Sequence, residues 1–520
     1  MYDGEDAYKI MGEHAKEPAP LRSEIERAIN ESARRKSAGP DEVPAELFKF
    51  AGDTAIDRMH RICVEVWETG EWPEDWTKSI FIPIPKNGDM KQCRNYRTIA
   101  LVSHASKIML KIILERIRRR TESELTDVQA GFRRGKGTRD QVTNLRIIME
   151  KMREHQLPLY MCFVDFKKAF DCVSHEQLWL SMVEMGYPAH IINLITELYR
   201  KQTAKVKIAG ILSSEFRIRR GVRQGCVISP TLFNILSEMV MREALKGYKG
   251  GIHVGGRRIT NLRYADDIVL MASTEAELQD LVTRLDREGQ KKGLEINMSK
   301  TKCMALSGNQ CNIKVQDSKI EQVETFVYLG SLITEDAESS REIRIRTARG
   351  LGIGVDLMKL WKSHNIKINT KLKLMRTLIW PVMMYGCESW TIKKRDEERI
   401  KAFEMKCIRK ILGISWIEKK TNEWVLETAG VERNLLESIK RRKMSYFGHI
   451  MRKQGDCLEK EIMQGTVPGA RARGKPRKRW MDNMSEWSGL STERLLRETE
   501  DRRGWRGIVH NVTNPRIEDG

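Results

Sequence analysis

The sequence predicts an α+β fold in which helices pack behind a largely antiparallel sheet. A continuous apolar run, LYMCFV at 159–164, has the length and composition of a buried strand. The segment NLRYADDIVLMA at 261–272 contains two apolar runs separated by adjacent aspartates, which is typical of a hairpin. Around these segments the predicted order is strand, helices, strands, helix, hairpin, helix and strand. This order favours helices segregated to one side of an antiparallel sheet.

The composition indicates a protein that binds a polyanion. The 520 residues include 92 Lys and Arg against 71 Asp and Glu, so the formal net charge is +21 and nucleic acid is the first candidate partner. The ten cysteines form no C-x-x-C pair, which predicts reduced thiols and no structural zinc. Because the N-terminus lacks an apolar signal region and no run of 18 apolar residues occurs, we expect a soluble intracellular protein with no membrane partner.

In the first 158 residues the sequence predicts a strand-like segment followed by a basic, helical subdomain that begins near residue 95. The segment IFIPIP at 80–85 is strand-like, but its two prolines predict an edge or irregular strand, and the turn that follows displays Lys86. Isoleucines at helical spacing predict a helix that ends at 118–120. The segment GFRRGKGT at 131–138 does not have the spacing of a phosphate-binding loop, and we expect a flexible basic loop there.

Asp165 follows the predicted strand 159–164 directly, so that strand delivers a carboxylate at its C-terminal end. A capping box at Ser174 and a Ser229-Pro230 start signal predict the helices between this strand and the hairpin. A further capping box at Thr274 begins an amphipathic helix after the hairpin.

Asp266 and Asp267 lie where the hairpin should turn. One interpretation is that both residues are turn-formers, because tight turns favour Asp. The alternative is that they meet Asp165, since neighbouring strands would bring three repelling carboxylates together and a hard divalent cation would compensate them. Such a site holds two Mg²⁺ ions and supports nucleotidyl transfer by in-line displacement.

From about residue 342 the pattern becomes helical, with Gly413 as a predicted C-cap. Residues 433–480 contain 14 Lys and Arg against 4 Asp and Glu, which is +10 of the total net charge. The part ARARGKPRKRW is broken by Gly and Pro, so we expect an exposed arm that contacts nucleic acid; a solvated or nuclear-import run is the alternative.

Five segments in one order carry a resemblance to a known family: FVDFKKAFD (163–171), RQGCVISPTLFN (223–234), YADD (264–267), GLEINMSKTK (293–302) and FVYLGS (326–331). They resemble motifs A to E of a reverse transcriptase. The segments before and after them are most similar to the open reading frame of a non-LTR (LINE-type) retrotransposon of the RTE clade. The resemblance covers roughly residues 36–510. Relatives usually have an endonuclease before the fingers motifs, and we expect this chain to lack that domain.

The resemblance implies a right-hand polymerase fold followed by a mostly helical, basic C-terminal region. The implied domains are an N-terminal extension (1–35), fingers (36–158), palm with motifs A to D and possible fingers insertions (159–320), motif E with a helical thumb (321–395), and a nucleic-acid-binding region (396–520).

The resemblance also implies roles for individual residues. Asp165 and Asp266 would be the principal ligands of both Mg²⁺ ions, with Asp267 completing the catalytic trio and the Phe166 carbonyl as a further ligand. Mn²⁺ is expected to substitute for Mg²⁺. The implied dNTP-binding residues are Lys86, Arg97, Phe170, Gln224 and Lys300: Phe170 as the aromatic gate that excludes a ribose 2′-OH, Lys86 and Arg97 as triphosphate clamps, and Lys300 as a general acid. The expected nucleic-acid contacts of the basic arm are Arg471, Arg473, Lys475, Arg477, Lys478 and Arg479.

The expected function is therefore RNA-directed DNA synthesis, with an RNA template, a DNA or RNA primer and dNTPs as partners. The expected location is the nucleus, the cytoplasm or both. The sequence leaves the oligomeric state open. A catalytically silent, truncated retroelement remnant that binds RNA is the alternative function. An RNA-templated RNA polymerase is a third, which Phe170 disfavours.

Overall fold

The computed structural model describes residues 16–86, 88–455, 457–471 and 477–514. Up to residue 217 the chain alternates helices with the five strands of an N-terminal sheet and with one strand of the central sheet. The helices of this part are α1 (Arg22–Asn30), α2 (Ala45–Phe50), α3 (Gly52–Thr69), α4 (Glu74–Thr77), α5 (His104–Glu124), α6 (Thr138–Glu154), α7 (Ala169–Cys172), α8 (His175–Glu184) and α9 (Ala189–Arg200). Its strands are β1 (Lys78–Pro85), β2 (Tyr96–Leu101), β3 (Tyr160–Val164), β4 (Thr203–Ile208), β5 (Ile211–Leu212) and β6 (Phe216–Arg217).

Residues 229 to 334 add two helices and the remaining strands. The helices are α10 (Ser229–Leu245) and α11 (Glu275–Lys291). The strands are β7 (Ile252–Val254), β8 (Arg257–Ile259), β9 (Asn261–Tyr264), β10 (Asp267–Ala272), β11 (Lys302–Ala305), β12 (Lys314–Val315), β13 (Ser318–Lys319), β14 (Glu321–Gln322), β15 (Thr325–Tyr328) and β16 (Ser331–Thr334).

The rest of the described chain is helical, as predicted. Its helices are α12 (Ser340–Asp356), α13 (Met358–Lys362), α14 (Ile368–Leu374), α15 (Trp380–Met383), α16 (Lys394–Leu412), α17 (Asn422–Ala429), α18 (Leu435–Met451), α19 (Leu458–Gln464), α20 (Trp480–Ser488), α21 (Thr492–Glu498) and α22 (Arg502–Thr513). Gly413 ends α16 in the left-handed conformation at φ 72°, which confirms the predicted C-cap.

The central sheet has the strand order β14-β11-β3-β10-β9. β3 lies in its middle and pairs antiparallel with both β10 and β11. Side chains along β3 and β10 alternate between two cores, so Val164 and Ile268 face one core whereas Phe163 and Val269 face the other. Since both faces are buried, the strands are apolar throughout rather than alternating with polar residues.

Different helices cover the two faces of the central sheet. Helices α5 and α8 to α11 pack on the face of Val164. The opposite face is covered by α6 and by the C-terminal helices α18 to α22, whose core residues include Phe447, Trp480 and Trp505. The sequence predicted helices behind the sheet, but most of the second layer comes from α18 to α22, which begin at Leu435, 163 residues after β10 ends at Ala272.

The N-terminal sheet has the strand order β2-β1-β4-β5, with β6 also paired to β4. The prediction that IFIPIP is an edge strand is wrong for its first half, because β1 pairs parallel with β4 over residues 78–81 and antiparallel with β2 over residues 80–85. Pro83 and Pro85 lie beyond the β4 pairing, where β1 has a neighbour on one side only. A proline is tolerated there because its missing N–H faces the open side.

Candidate active site

The two ends that carry the aspartates meet at one edge of the central sheet. β3 ends at Val164 and Asp165 follows, while β10 starts at Asp267 and places Ile268 opposite Val164. One position further along this antiparallel register, Asp267 therefore lies across from Asp165. Asp266 occupies the β9–β10 turn after Ala265, whose φ is 58°. Neighbouring strands thus bring the three carboxylates together, the condition that the metal-site interpretation required.

The three charges perturb one another. Burial, together with the charge of Asp165, raises the pKa of Asp266 above its ordinary value. Burial of the turn and the charges of Asp266 and Asp165 raise the pKa of Asp267 to about 6, although this residue still reaches solvent. The carboxylates repel one another, and a bound divalent cation would compensate their negative charge.

Asp165 is held by residues of the segment that follows α11. Asn297 Nδ2 donates to Asp165 Oδ2 at 3.1 Å, and the Lys300 ammonium lies 3.3 Å from the same oxygen. The Asp165 N–H donates to Thr301 Oγ1 at 3.2 Å. Lys300 was expected near the nucleotide, whereas Asn297, in the same segment GLEINMSKTK, was given no role because it carries no charge.

The donor set suits a hard cation, but the side chains are not yet gathered around one. Within the described part of the chain, no three acidic, His or Cys side chains form a ready metal cluster. Asp165 Oδ2 is occupied by Asn297 and Lys300, so metal binding requires this carboxylate to exchange partners. Phe166 lies opposite Ile296 in an isolated β-bridge. The hydrogen bonds of this bridge are made by the neighbouring residues, from Lys167 N–H to the Glu295 carbonyl and from Asn297 N–H to the Asp165 carbonyl, so the Phe166 carbonyl takes no part in them.

The predicted gate residue Phe170 lies in α7 and is half-buried. Its ring stacks on Phe233 of α10 with 4.7 Å between centroids, and Phe132 approaches its edge at 6.3 Å. Gln224 Nε2 donates to Asp171 Oδ1 at 3.1 Å, so the two predicted nucleotide residues are connected through Asp171. Burial raises the pKa of Asp171, a residue that the sequence interpretation left without a role although it closes the segment FVDFKKAFD.

Lys86 and Arg97 lie at the end of the N-terminal sheet, where Ile84 is opposite Arg97 across β1 and β2. The pKa of Lys86 is lowered by partial desolvation and then by the positive charges of Arg97, Lys300 and Lys168. Both Arg97 and Lys300 also act on the carboxylate of Asp266. The structure therefore groups exposed cations next to the carboxylates, as triphosphate binding requires.

The start of the loop 131–138 packs against the aspartate hairpin, whereas the expected flexibility of this basic loop stays a prediction. Gln129 Oε1 accepts the N–H groups of Gly131 (2.8 Å) and Ala265 (3.0 Å), and a Cβ on Gly131 would lie 2.2 Å from the Ala265 nitrogen. Arg133 pairs with Glu122 at 2.7 Å. Close packing against the turn explains the glycine.

Four of the six predicted basic-arm residues lie in the described chain, and each has an acidic neighbour. Arg471 pairs with Glu154 at 2.9 Å, and Arg477 lies 3.5 Å from Glu338. Lys478 pairs with Glu486, and Arg479 pairs with Asp482 at 2.8 Å. Arg473 and Lys475 lie outside the described residues. The expectation of nucleic-acid contacts stays a prediction.

Comparisons with known proteins agree with the site. Residues 84–333 match the family model "Reverse transcriptase (RNA-dependent DNA polymerase)". A Pol polyprotein from the type-1 retrotransposable element R2 of Nasonia vitripennis is 28% identical over 56% of this chain and 28% of its own length. The RNA-directed DNA polymerase from mobile element jockey of Drosophila melanogaster is 22% identical over 79% of this chain and 45% of its own length. The chain therefore spans less than half of these relatives.

Among solved structures, apo telomerase from Candida tropicalis aligns over 76% of this chain and 70% of its own, with a TM-score of 0.39 and 13% identity. Over the described residues, no helix combines the length and apolar character needed to cross a bilayer. The match of residues 84–333 to this family model implies divalent-metal chemistry and binding of a nucleic-acid template for that domain. The right-hand polymerase expectation is confirmed at the level of family and fold, and residues 84–333 are a reverse transcriptase domain related to those of non-LTR retrotransposons.

Proposed function

We propose that this chain is an RNA-directed DNA polymerase that extends the 3′ end of a DNA or RNA primer on an RNA template. The observation that carries the proposal is the meeting of Asp165, Asp266 and Asp267 at one end of the central sheet, with Lys86 and Arg97 close to them. Acidic and basic groups in this arrangement suit a reaction between a primer hydroxyl and a nucleoside triphosphate.

Asp165 and Asp266 are the proposed principal ligands of two Mg²⁺ ions, which Mn²⁺ would replace. Asp267 and the Phe166 carbonyl complete the donor set. When bound, the metals activate the primer hydroxyl and stabilise the leaving pyrophosphate. Lys300 lies 3.3 Å from Asp165 Oδ2; in the proposed reaction it would release that carboxylate and donate a proton to the pyrophosphate.

The nucleotide would be held between the cations and α7. Lys86 and Arg97 bind triphosphate oxygens through charge-assisted hydrogen bonds. The Phe170 ring, which stacks on Phe233, would exclude a ribose 2′-OH and so select dNTPs. Gln224, the proposed neighbour of the nucleotide, is oriented by its hydrogen bond to Asp171, the residue after Phe170.

The domain layout extends the proposal to the whole chain. The fingers (36–158), palm (159–320), motif E with thumb (321–395) and C-terminal region (396–520) would enclose the template and primer. Since β4 pairs with β1, part of the proposed palm segment shares a sheet with the proposed fingers segment, which supports a fingers insertion within residues 159–320. Arg471, Arg473, Lys475, Arg477, Lys478 and Arg479 are the proposed phosphate contacts of the C-terminal region. The four that the structure describes, Arg471, Arg477, Lys478 and Arg479, would exchange their internal ion pairs for phosphates on binding.

Primer extension tests the proposal. Purified protein is incubated with poly(rA)/oligo(dT) and labelled dTTP, in Mg²⁺ and separately in Mn²⁺, beside the Asp266→Ala variant. We expect incorporation by the unmodified chain only. Equal incorporation by both proteins, or none in either metal, would contradict the proposal; salt-dependent RNA binding without incorporation would support the silent remnant instead.

A further inference from the structure

The N-terminal sheet ends in a rigid hairpin that the proposed chemistry does not use. β4 and β5 pair through Lys207 with Leu212 and Ile208 with Ile211, so the connecting turn has only two residues, 209 and 210. Both have positive φ, at 49° and 88°, which matches the turn type that fits the twist of a hairpin. Ser213 closes the ladder because its Oγ accepts the Val206 N–H at 2.9 Å. We call residues 203–213 the tip hairpin.

The end of the tip hairpin exposes large apolar side chains. Ile208, Ile211 and Leu212 are 63%, 75% and 46% exposed. Since Ile208 and Ile211 are directly opposite each other, their side chains lie on one face and form a continuous apolar edge. Adjacent apolar side chains held in solvent on a rigid support mark a surface with a partner.

The register of the N-terminal sheet shows where this apolar edge lies. β1 and β4 run parallel with Phe81 opposite Val206, so Ile208 is level with Pro83, three residues before Lys86. At about 3.3 Å per residue, the apolar edge lies roughly 10 Å along the strand direction from Lys86. The tip hairpin thus projects from the same end of the sheet as the proposed triphosphate-binding cations.

The charges around the apolar edge favour nucleic acid as the partner. Residues 201–220 contain six Lys and Arg and one acid, Glu215, which lies 3.8 Å from Lys205. Lys207 is exposed and immediately precedes the apolar edge. Cations suit the phosphates of a strand, while apolar side chains suit the faces of unstacked bases. A membrane surface would accept the same chemistry, but the position beside the nucleotide cations favours the template.

We propose that the tip hairpin separates base pairs in the template ahead of the active site. This inference rests on the proposed polymerase function and adds strand displacement to it. A template base must be unpaired before it meets the incoming nucleotide, so a duplex ahead of the site has to open nearby. Ile208 and Ile211 wedge against the first downstream pair, and the flanking cations hold the parted strand.

The test compares two templates that differ only ahead of the primer. One RNA template is single-stranded, and the other carries an annealed complementary strand starting just beyond the primer end. We expect the double variant Ile208→Ser/Ile211→Ser to extend the primer on the single strand at the rate of the unmodified chain, but to read through the duplex about fivefold more slowly because apolar contact with the bases is lost. Leu21→Ser, at a residue 64% exposed in the N-terminal extension, is the matched control and should change neither rate.

A second measurement does not depend on catalysis. The fluorescence of a 2-aminopurine placed in the first downstream base pair should increase when the template binds the unmodified chain or the Asp266→Ala variant. It should not increase when the template binds the double variant. The strand-separation proposal would be overturned if the double variant read through the duplex at the unmodified rate, or if its extension rate fell equally on both templates. A change in the oligomeric state of the double variant would also overturn it. If no protein incorporates dNTPs, the polymerase proposal fails, and brightening that is equal with the double variant would overturn the hairpin proposal separately.

Discussion

At the scale of single residues, the ionised Asp267 carboxylate lowers the free energy of unfolding in the absence of metal. Its pKa is raised to about 6 from an ordinary 3.8, so between these values the folded chain binds more protons than the unfolded chain, and stability falls as pH rises. We therefore expect Asp267→Asn to melt at a higher temperature than the unmodified chain at pH 7.5 in EDTA. The difference should shrink as the pH is lowered from 6 to 4, because the native carboxyl then becomes protonated.

The same residue should tolerate substitution best in the incorporation assay. Asp165→Asn and Asp266→Asn should abolish activity, whereas Asp267→Asn should retain part of it, since the first two are the proposed principal ligands of both metals. Added Mg²⁺ should raise the melting temperature of the unmodified chain more than that of Asp267→Asn. If Asp267→Asn were the most damaging of the three, this division of roles would be wrong.

Phe170 gives a second test at this scale. Replacing it with Val removes the ring that we propose to face the sugar, so we expect incorporation of rNTPs relative to dNTPs to rise about tenfold or more, a change of roughly 1.4 kcal/mol in discrimination. Phe233→Leu is the control, because it weakens the same 4.7 Å stack from the buried side without removing the gate. Equal loss of discrimination in both variants would indicate that packing, not the gate, is being measured.

At the scale of elements, the strand end and the hairpin were predictable because their signals are local. An apolar run followed by Asp165, and two apolar runs around Asp266 and Asp267, indicate their own secondary structure. What is not local could not be predicted. β1 pairs with β4, more than 100 residues away in the chain, so its prolines indicated an edge that exists for only half of the strand. Likewise, nothing near residue 131 indicates that its backbone packs against residue 265.

That last contact gives a prediction for the hairpin as an element. In Gly131→Ala the new Cβ would lie 2.2 Å from the Ala265 nitrogen, so the turn must move and carry Asp266 with it. We expect activity to fall at least about tenfold while the chain remains folded, since a displacement of about 1 Å at reacting groups costs that much or more. Gly137→Ala in the same loop is the control, because its Cβ would meet only Asp140 Oδ2, at 3.8 Å. Similar activity in both variants would show that the turn absorbs the strain.

At the scale of the whole molecule, the C-terminal helices are part of the core. They bury the face of the central sheet opposite α10 and α11, and Lys443 of α18 connects three parts of the chain there. Its ammonium donates to the carbonyl oxygens of Trp390 (2.7 Å) and Trp480 (3.1 Å) and to Asn483 Oδ1 (2.9 Å). Burial lowers the pKa of this lysine well below its ordinary value. The basic charge of residues 433–480 therefore includes a cation that serves packing and not nucleic acid.

Substitution of Lys443 separates these two roles. In Lys443→Ala three buried acceptors lose their donor and a cavity remains, so we expect the free energy of unfolding to fall by about 3 kcal/mol. Arg441→Ala, at an exposed position of the same helix, should leave stability unchanged and affect RNA binding only through its charge. Urea unfolding followed by tryptophan fluorescence measures the first effect, and filter binding at several salt concentrations measures the second. Helix α18 packs on the central sheet, whose strand β3 leads directly to Asp165. The Lys443→Ala variant should therefore also lose polymerase activity at a lower temperature than Arg441→Ala. Equal unfolding midpoints for the two variants would mean that the C-terminal helices contribute charge rather than support to the polymerase.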